Sequence, residues 1–132
     1  MKKLIITALV FALLASPMML VGCTSFSGSS SNLNHAYSDG VWTVTATSVN
    51  GTLSRSFNLQ QEQLDSLRVT SVAAQGSVQL VLIQGDVEKT VILDQLHVSA
   101  QPIDTSDFNP GSVRVRLNFT NARGVSIVVS WR

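Results

Sequence analysis

The 132-residue chain reads as an all-β protein, an antiparallel two-sheet sandwich of seven or eight short strands, and three observations point there. From Val41 onward apolar and polar residues alternate with a period of two. Turn-forming residues interrupt that alternation roughly every 8–12 positions. No stretch shows the 3.6-residue period of an amphipathic helix. A small closed barrel fits the same pattern and is the alternative.

The first segment is different. The chain opens MKKLIITALVFALLASPMMLVGC: Lys2 and Lys3, an apolar run from Leu4 to Val21, then the small residue Gly22 before Cys23. That is the layout of a secretory signal. The run of about 18 residues also sits at the short end of a membrane span. Cys23 is the chain's single cysteine. The string Leu20-Val21-Gly22-Cys23 resembles the lipobox of bacterial lipoproteins, a likeness confined to residues 1–23. It implies cleavage after Gly22, a diacylglycerol thioether on the Cys23 sulfur, and a lipid bilayer as partner. The protein is then expected on the cell membrane or outer membrane, facing the periplasm or the exterior. Two or three acyl chains hold a protein far more firmly than one. Thr24 and Ser25, with no Asp after the cysteine, resemble outer-membrane sorting in enteric bacteria.

Residues 1–22 are therefore expected to be the signal, and 23–40 an acylated cysteine with a Ser/Gly/Asn-rich flexible tether. Residues 41–132 form a single domain, large enough for a core and too small for two. With Cys23 acylated no thiol is left for a disulfide, so packing alone must hold the domain.

VWTVTAT sets Trp42, Val44 and Ala46 against Thr43, Thr45 and Thr47. Asn50-Gly51 predicts a hairpin, since a type I′ turn requires positive φ at both central residues. The return strand TLSRSFNL points Leu53, Phe57 and Leu59 one way. QQEQLDS breaks the alternation and suits one helical turn capped by Asn58. LRVTSVA resumes it, and Gln75-Gly76 predicts a turn. SVQLVLI reads as a central strand covered on both faces. Gln84-Gly85-Asp86 predicts a second hairpin into VEKTVIL, and Leu96–Ala100 a short edge strand. Gln101–Gly111 is irregular and closes on Asn109-Pro110-Gly111. SVRVRLNF and VSIVVSW are expected to pair as a third hairpin about Asn121–Gly124.

Little in this pattern carries chemistry. Loss of Lys2 and Lys3 takes the formal charge from +1 to −1, which argues against nucleic acid as a partner. Arg114 and Arg116 share a strand face and read as solvated. His35 and His97 stand alone, and zinc requires three or four clustered ligands. Asp104 and Asp107 flank the long loop, but a calcium site requires six to eight oxygens. There is no G-x-S-x-G elbow, no phosphate-cradling loop, and no marked carboxylate pair. No catalytic residue, cofactor or metal is assigned. Trp42 and Trp131 point inward as core. Tyr37 and Phe108, in irregular segments, are the candidate ligand contacts. The expected function is a non-catalytic envelope module that binds a protein or glycan, with a carbohydrate-binding module as the specific alternative and a small envelope enzyme ranked below both.

Overall fold

The computed structural model describes residues 24–93 and 97–132; the signal segment and Cys23 lie outside the described residues. The described residues form an antiparallel β-sandwich of eight strands and one short helix. In order these are β1 (Thr24–Ser31), β2 (Asn34–Ser38), β3 (Val41–Leu59), α1 (Gln61–Asp65), β4 (Arg68–Val72), β5 (Gln75–Gln84), β6 (Val87–Ile92), β7 (His97–Pro102) and β8 (Gly111–Ser130).

Two strands, β3 with 19 residues and β8 with 20, pair along their whole length, from Val41↔Ser130 to Leu59↔Gly111. Straight strands of that length would span roughly 60 Å at about 3.3 Å per residue. They do not stay straight. The rings of Trp42 and Phe57, fifteen positions apart on β3, lie 5.5 Å apart, so the strand doubles back and its two halves face each other. The first layer is β2, the start of β3, the end of β8, β4 and β7. The second is β1, the end of β3, the start of β8, β5 and β6. Between them lies one core, including Trp42, Leu53, Leu80, Leu117 and Ile127, all fully buried.

The crease between layers corrects three turns expected from sequence. Asn50-Gly51 is not a hairpin: β3 runs straight through it and bends. The register shifts between Val49 and Gly51, where β8 inserts one extra residue and Asn121 adopts φ +47°. This is a bulge, which sharpens bend and twist without reversing the chain. The expected hairpin at Asn121–Gly124 is likewise continuous β8. Gln75-Gly76 lies in β5, which follows β4 along the same edge of β8 after a break at Ala73-Ala74. At each place residues suited to positive φ serve to fold a ribbon over rather than to turn a strand around. Gly28 and Gly51 face each other across the crease with φ +138° and +150°. A Cβ on Gly51 would sit 2.2 Å from the Ser27 carbonyl oxygen, and one on Gly28 2.2 Å from that of Asn50. No side chain fits there.

The expected tether is also strand. Thr24–Ser31 pairs with Ser48–Arg55, and Asn34–Ser38 with Val41–Thr45. Both are edge strands whose side chains are almost all exposed. Their backbone ladder needs no aliphatic side chains, which is why their composition reads as a linker. The folded unit therefore reaches back to Thr24.

Other expectations hold. The inward sets Trp42/Val44/Ala46 and Leu53/Phe57/Leu59 are buried apart from slight exposure of Ala46 and Phe57. Gly85-Asp86 closes the β5–β6 hairpin, with Gly85 at φ +57°. The helical turn forms, but Gln60 begins it rather than Asn58: the Gln60 N–H donates to Gln63 Oε1 at 2.7 Å.

Candidate functional site

The inward positions are occupied by core, so any site must lie on an edge, on the crease or on one of the two outer faces.

Tyr37 lies on β2 at the open edge and keeps 42% of its surface exposed. It stacks on Trp131 (centroids 5.6 Å, 22°) and meets Phe57 at 5.3 Å. The Arg55 guanidinium sits 5.2 Å from the Tyr37 ring centre and 5.4 Å from that of Phe57. Tyr37 and Trp131 come from the first layer, Phe57 and Arg55 from the second. The group seals the sandwich edge, and Tyr37 is held there by Trp131, Phe57 and Arg55. Phe108 is no contact at all: it is 4% exposed and belongs to the core, because its loop folds inward. The Thr105 hydroxyl anchors that loop by donating to the Leu64 carbonyl at 2.8 Å.

Asp104 is a turn residue. Its Oδ1 accepts the Ser106 N–H at 3.1 Å. That bond and the Ser106 side chain hold its carboxyl below the ordinary value against the opposing effect of desolvation, and the field of Lys89 adds the least. Among the described residues no three His, Cys, Asp or Glu side chains come together. His35 is exposed on β2.

A polar groove of about 640 Å³ runs over the crease, walled by Ser29, Ser48, Asn50, Gln75, Asn121 and Arg123. Its walls are tied together, since Asn50 Oδ1 accepts the Asn121 N–H at 3.1 Å.

The outer face of the second layer carries the charged groups nearest its centre. Strand register sets its side chains in rows across β3, β8, β5 and β6. One row is Ser56–Arg114–Ile83–Glu88, the next Ser54–Arg116–Val81–Thr90, the third Thr52–Asn118–Gln79–Ile92. Ser25 of β1 extends the second row, with its hydroxyl 2.9 Å from that of Ser54. The Thr52 hydroxyl donates to Asn118 Oδ1 at 3.2 Å. Val81 points outward yet is 6% exposed, so neighbouring side chains lie over it, as its continuous apolar run predicts. An open groove of about 380 Å³ lies along Arg114, Arg116 and Ser56, ending at Gln84 and Ser112. Gln84 fixes that end: its Nε2 donates to the Asn109 carbonyl (2.7 Å) and, more weakly, to that of Ser112 (3.4 Å), while Oε1 accepts the Asn109 N–H (2.9 Å). Sequence pattern finds the two arginines but not their companions, because cross-strand register and the crease decide which residues share a row.

No protein-family model matches the chain, and no curated protein matches it. Among solved structures the chain is similar to TmCBM61 in complex with β-1,4-galactotriose, at 10% identity and TM-score 0.42, covering 83% of this chain and 85% of that one. It is also similar to a mutant of the family 29 carbohydrate-binding module CBM29-2, at 14% identity and TM-score 0.37, covering 80% and 77%. A xylanase 10C mutant from Cellvibrio japonicus in complex with xylopentaose aligns at 15% identity and TM-score 0.36; the match covers 81% of this chain and 25% of that one.

Proposed function

We propose that this chain is a non-catalytic β-sandwich module that binds a glycan on the outer face of its second layer. One observation carries the reading: hydroxyl, amide and guanidinium groups are arrayed in register over adjacent strands, beside an open groove. Sugars present closely spaced hydroxyls that pair with such groups. A protein interface instead draws on a central apolar anchor. Among the described residues the exposed large apolar side chains, Tyr37, Val72 and Ile92, lie on β2, β4 and β6, strands that do not pair with one another.

The module is held at a membrane through Cys23, on the strength of the lipobox likeness. Thr24, the next residue, is already paired with Arg55, so the acylated cysteine carries the domain with no spacer. Intact mass and membrane fractionation test the anchor: acyl mass and sedimentation with membranes are expected, and both are lost in Cys23→Ala.

Isothermal titration calorimetry against a panel of soluble neutral and acidic polysaccharides, using the full chain in nonionic detergent, tests the binding reading. Saturable binding to at least one polymer without its breakdown is expected; silence across the panel overturns it. Tryptophan fluorescence is a poor reporter here, because Trp42 and Trp131 are 0% and 3% exposed.

A further inference from the structure

We infer that the glycan is acidic, and that Arg114 and Arg116 receive its carboxylates; this rests on the glycan reading above. The two arginines are successive outward residues of β8, with Cα atoms about 7 Å apart. Neither guanidinium has a hydrogen-bond or ion-pair partner among the described residues. The acidic residue of their rows, Glu88, stands two strands from Arg114 with Ile83 between them and makes no ion pair with it. Arg116 is half-buried, flanked by Ser54 and Val81. None of the guanidinium nitrogens of either arginine is closed off from solvent, so the pair presents two open charges with no protein carboxylate on them, and an incoming anion supplies that carboxylate.

The shape of the site argues for a polymer rather than a small ion. The groove is open, and beside the two arginines it is lined by Ser56, Gln84, Ser112 and the apolar Ile83, with no acidic residue among them. Arginine's planar fork matches a carboxylate bidentately, and two forks in line match charges that recur along a chain. Gln84 holds the far end of the groove, so the site is largely preformed.

The test is biolayer interferometry of the full chain in nonionic detergent on immobilised polygalacturonate and on the same polymer after carboxyl reduction. Binding to polygalacturonate, at least tenfold weaker to the reduced polymer, and about tenfold weaker for Arg116→Gln than for wild type, is expected. A thermal melt of Arg116→Gln matching wild type shows that the loss is local, and Arg116→Lys is expected to recover part of it. Equal binding to both polymers overturns this inference and leaves the glycan reading standing. Binding to neither polymer overturns the inference, and the polysaccharide panel then decides the glycan reading separately. The row of Arg116 ends at Ser25, close to Cys23, so vesicles containing anionic phosphatidylglycerol form a third arm. Arginine-dependent binding to the vesicles but not to polygalacturonate assigns the pair to lipid headgroups and overturns the inference.

Discussion

The two outer faces of the sandwich are made by the same pair of long strands, yet they differ in kind. The first-layer face shows Thr43, Thr45, Ser126, Val128 and Ser130 along β3 and β8, with Arg68 on β4 at its side. These are short β-branched or hydroxyl residues, and no charge stands at the centre. The second-layer face, a bend away on the same strands, places Arg114 and Arg116 at its centre, with Ser56 and Ser54 beside them on β3 and Ile83 and Val81 on β5. A face of threonine, serine and valine satisfies strand geometry and solvent and asks for nothing more. Two neighbouring cations at the centre of a face, with no carboxylate beside either, are not explained by strand geometry. The comparison therefore separates a face that serves the fold from one available to a ligand.

The greatest expected disruption is at the crease that creates both faces. Gly51→Ala places a Cβ against the Ser27 carbonyl at a backbone conformation side chains rarely adopt, and should cost about 3 kcal/mol or more. A chemical-denaturation midpoint measures it, and an unchanged midpoint refutes the crease as drawn. Next comes a swap between faces. Arg116→Gln is expected to lower binding to polygalacturonate about tenfold while changing stability by under about 0.5 kcal/mol. Thr45→Gln, on the opposite face, should alter neither; a comparable loss from Thr45→Gln would erase the distinction between the faces.

Ser71, fully buried on β4 with no hydrogen-bond partner for its hydroxyl among the described residues, should be better as alanine. Ser71→Ala is expected to raise unfolding free energy by about 1 kcal/mol without touching binding. Gln84→Ala should cost about 0.5–1 kcal/mol by freeing the loop at the groove end. It should also weaken binding slightly, which a titration of the variant would show. The smallest effect belongs to Asp104. Its carboxyl is held below its ordinary value near 3.8 in the folded state, so its contribution is present above that pH and fades as pH falls through the lower folded value. Asp104→Asn should flatten the acid end of the stability curve marginally, and an acid titration followed by circular dichroism would detect it.

Much of the fold was legible in particular residues. The alternation in VWTVTAT and SVRVRLNF reports which side chains are buried, because burial on one face imposes a period of two regardless of what the strand pairs with. Gly85-Asp86 was legible because a two-residue hairpin is a local structure. Asn50-Gly51 misled because positive φ is required both by a hairpin and by a bulged crease, and nothing local distinguishes them. Thr24–Ser38 misled for the opposite reason: an exposed edge strand leaves no apolar signature. Phe108 misled because a loop without periodicity gives no indication of which way its side chains turn. Of the site, the arginine pair was visible and its setting was not. Reading the two as solvated follows when they are considered alone; with their rows in view, the missing carboxylate becomes apparent.

By itself the sequence determined the class, the core and the limits. Period-two burial is a local consequence of chain geometry, and so are the absence of helical repeat, the near-balanced charge and the N-terminal string that resembles a lipobox. The tertiary structure alone decided that two strands of 19 and 20 residues cross both layers, that the supposed tether is sheet, and that Arg116 stands beside Val81 rather than beside a carboxylate. Those outcomes depend on contacts between residues far apart in the chain. The pairing of Arg116 with Val81 is set by register along the whole of β8, and register is fixed by the burial of every strand at once.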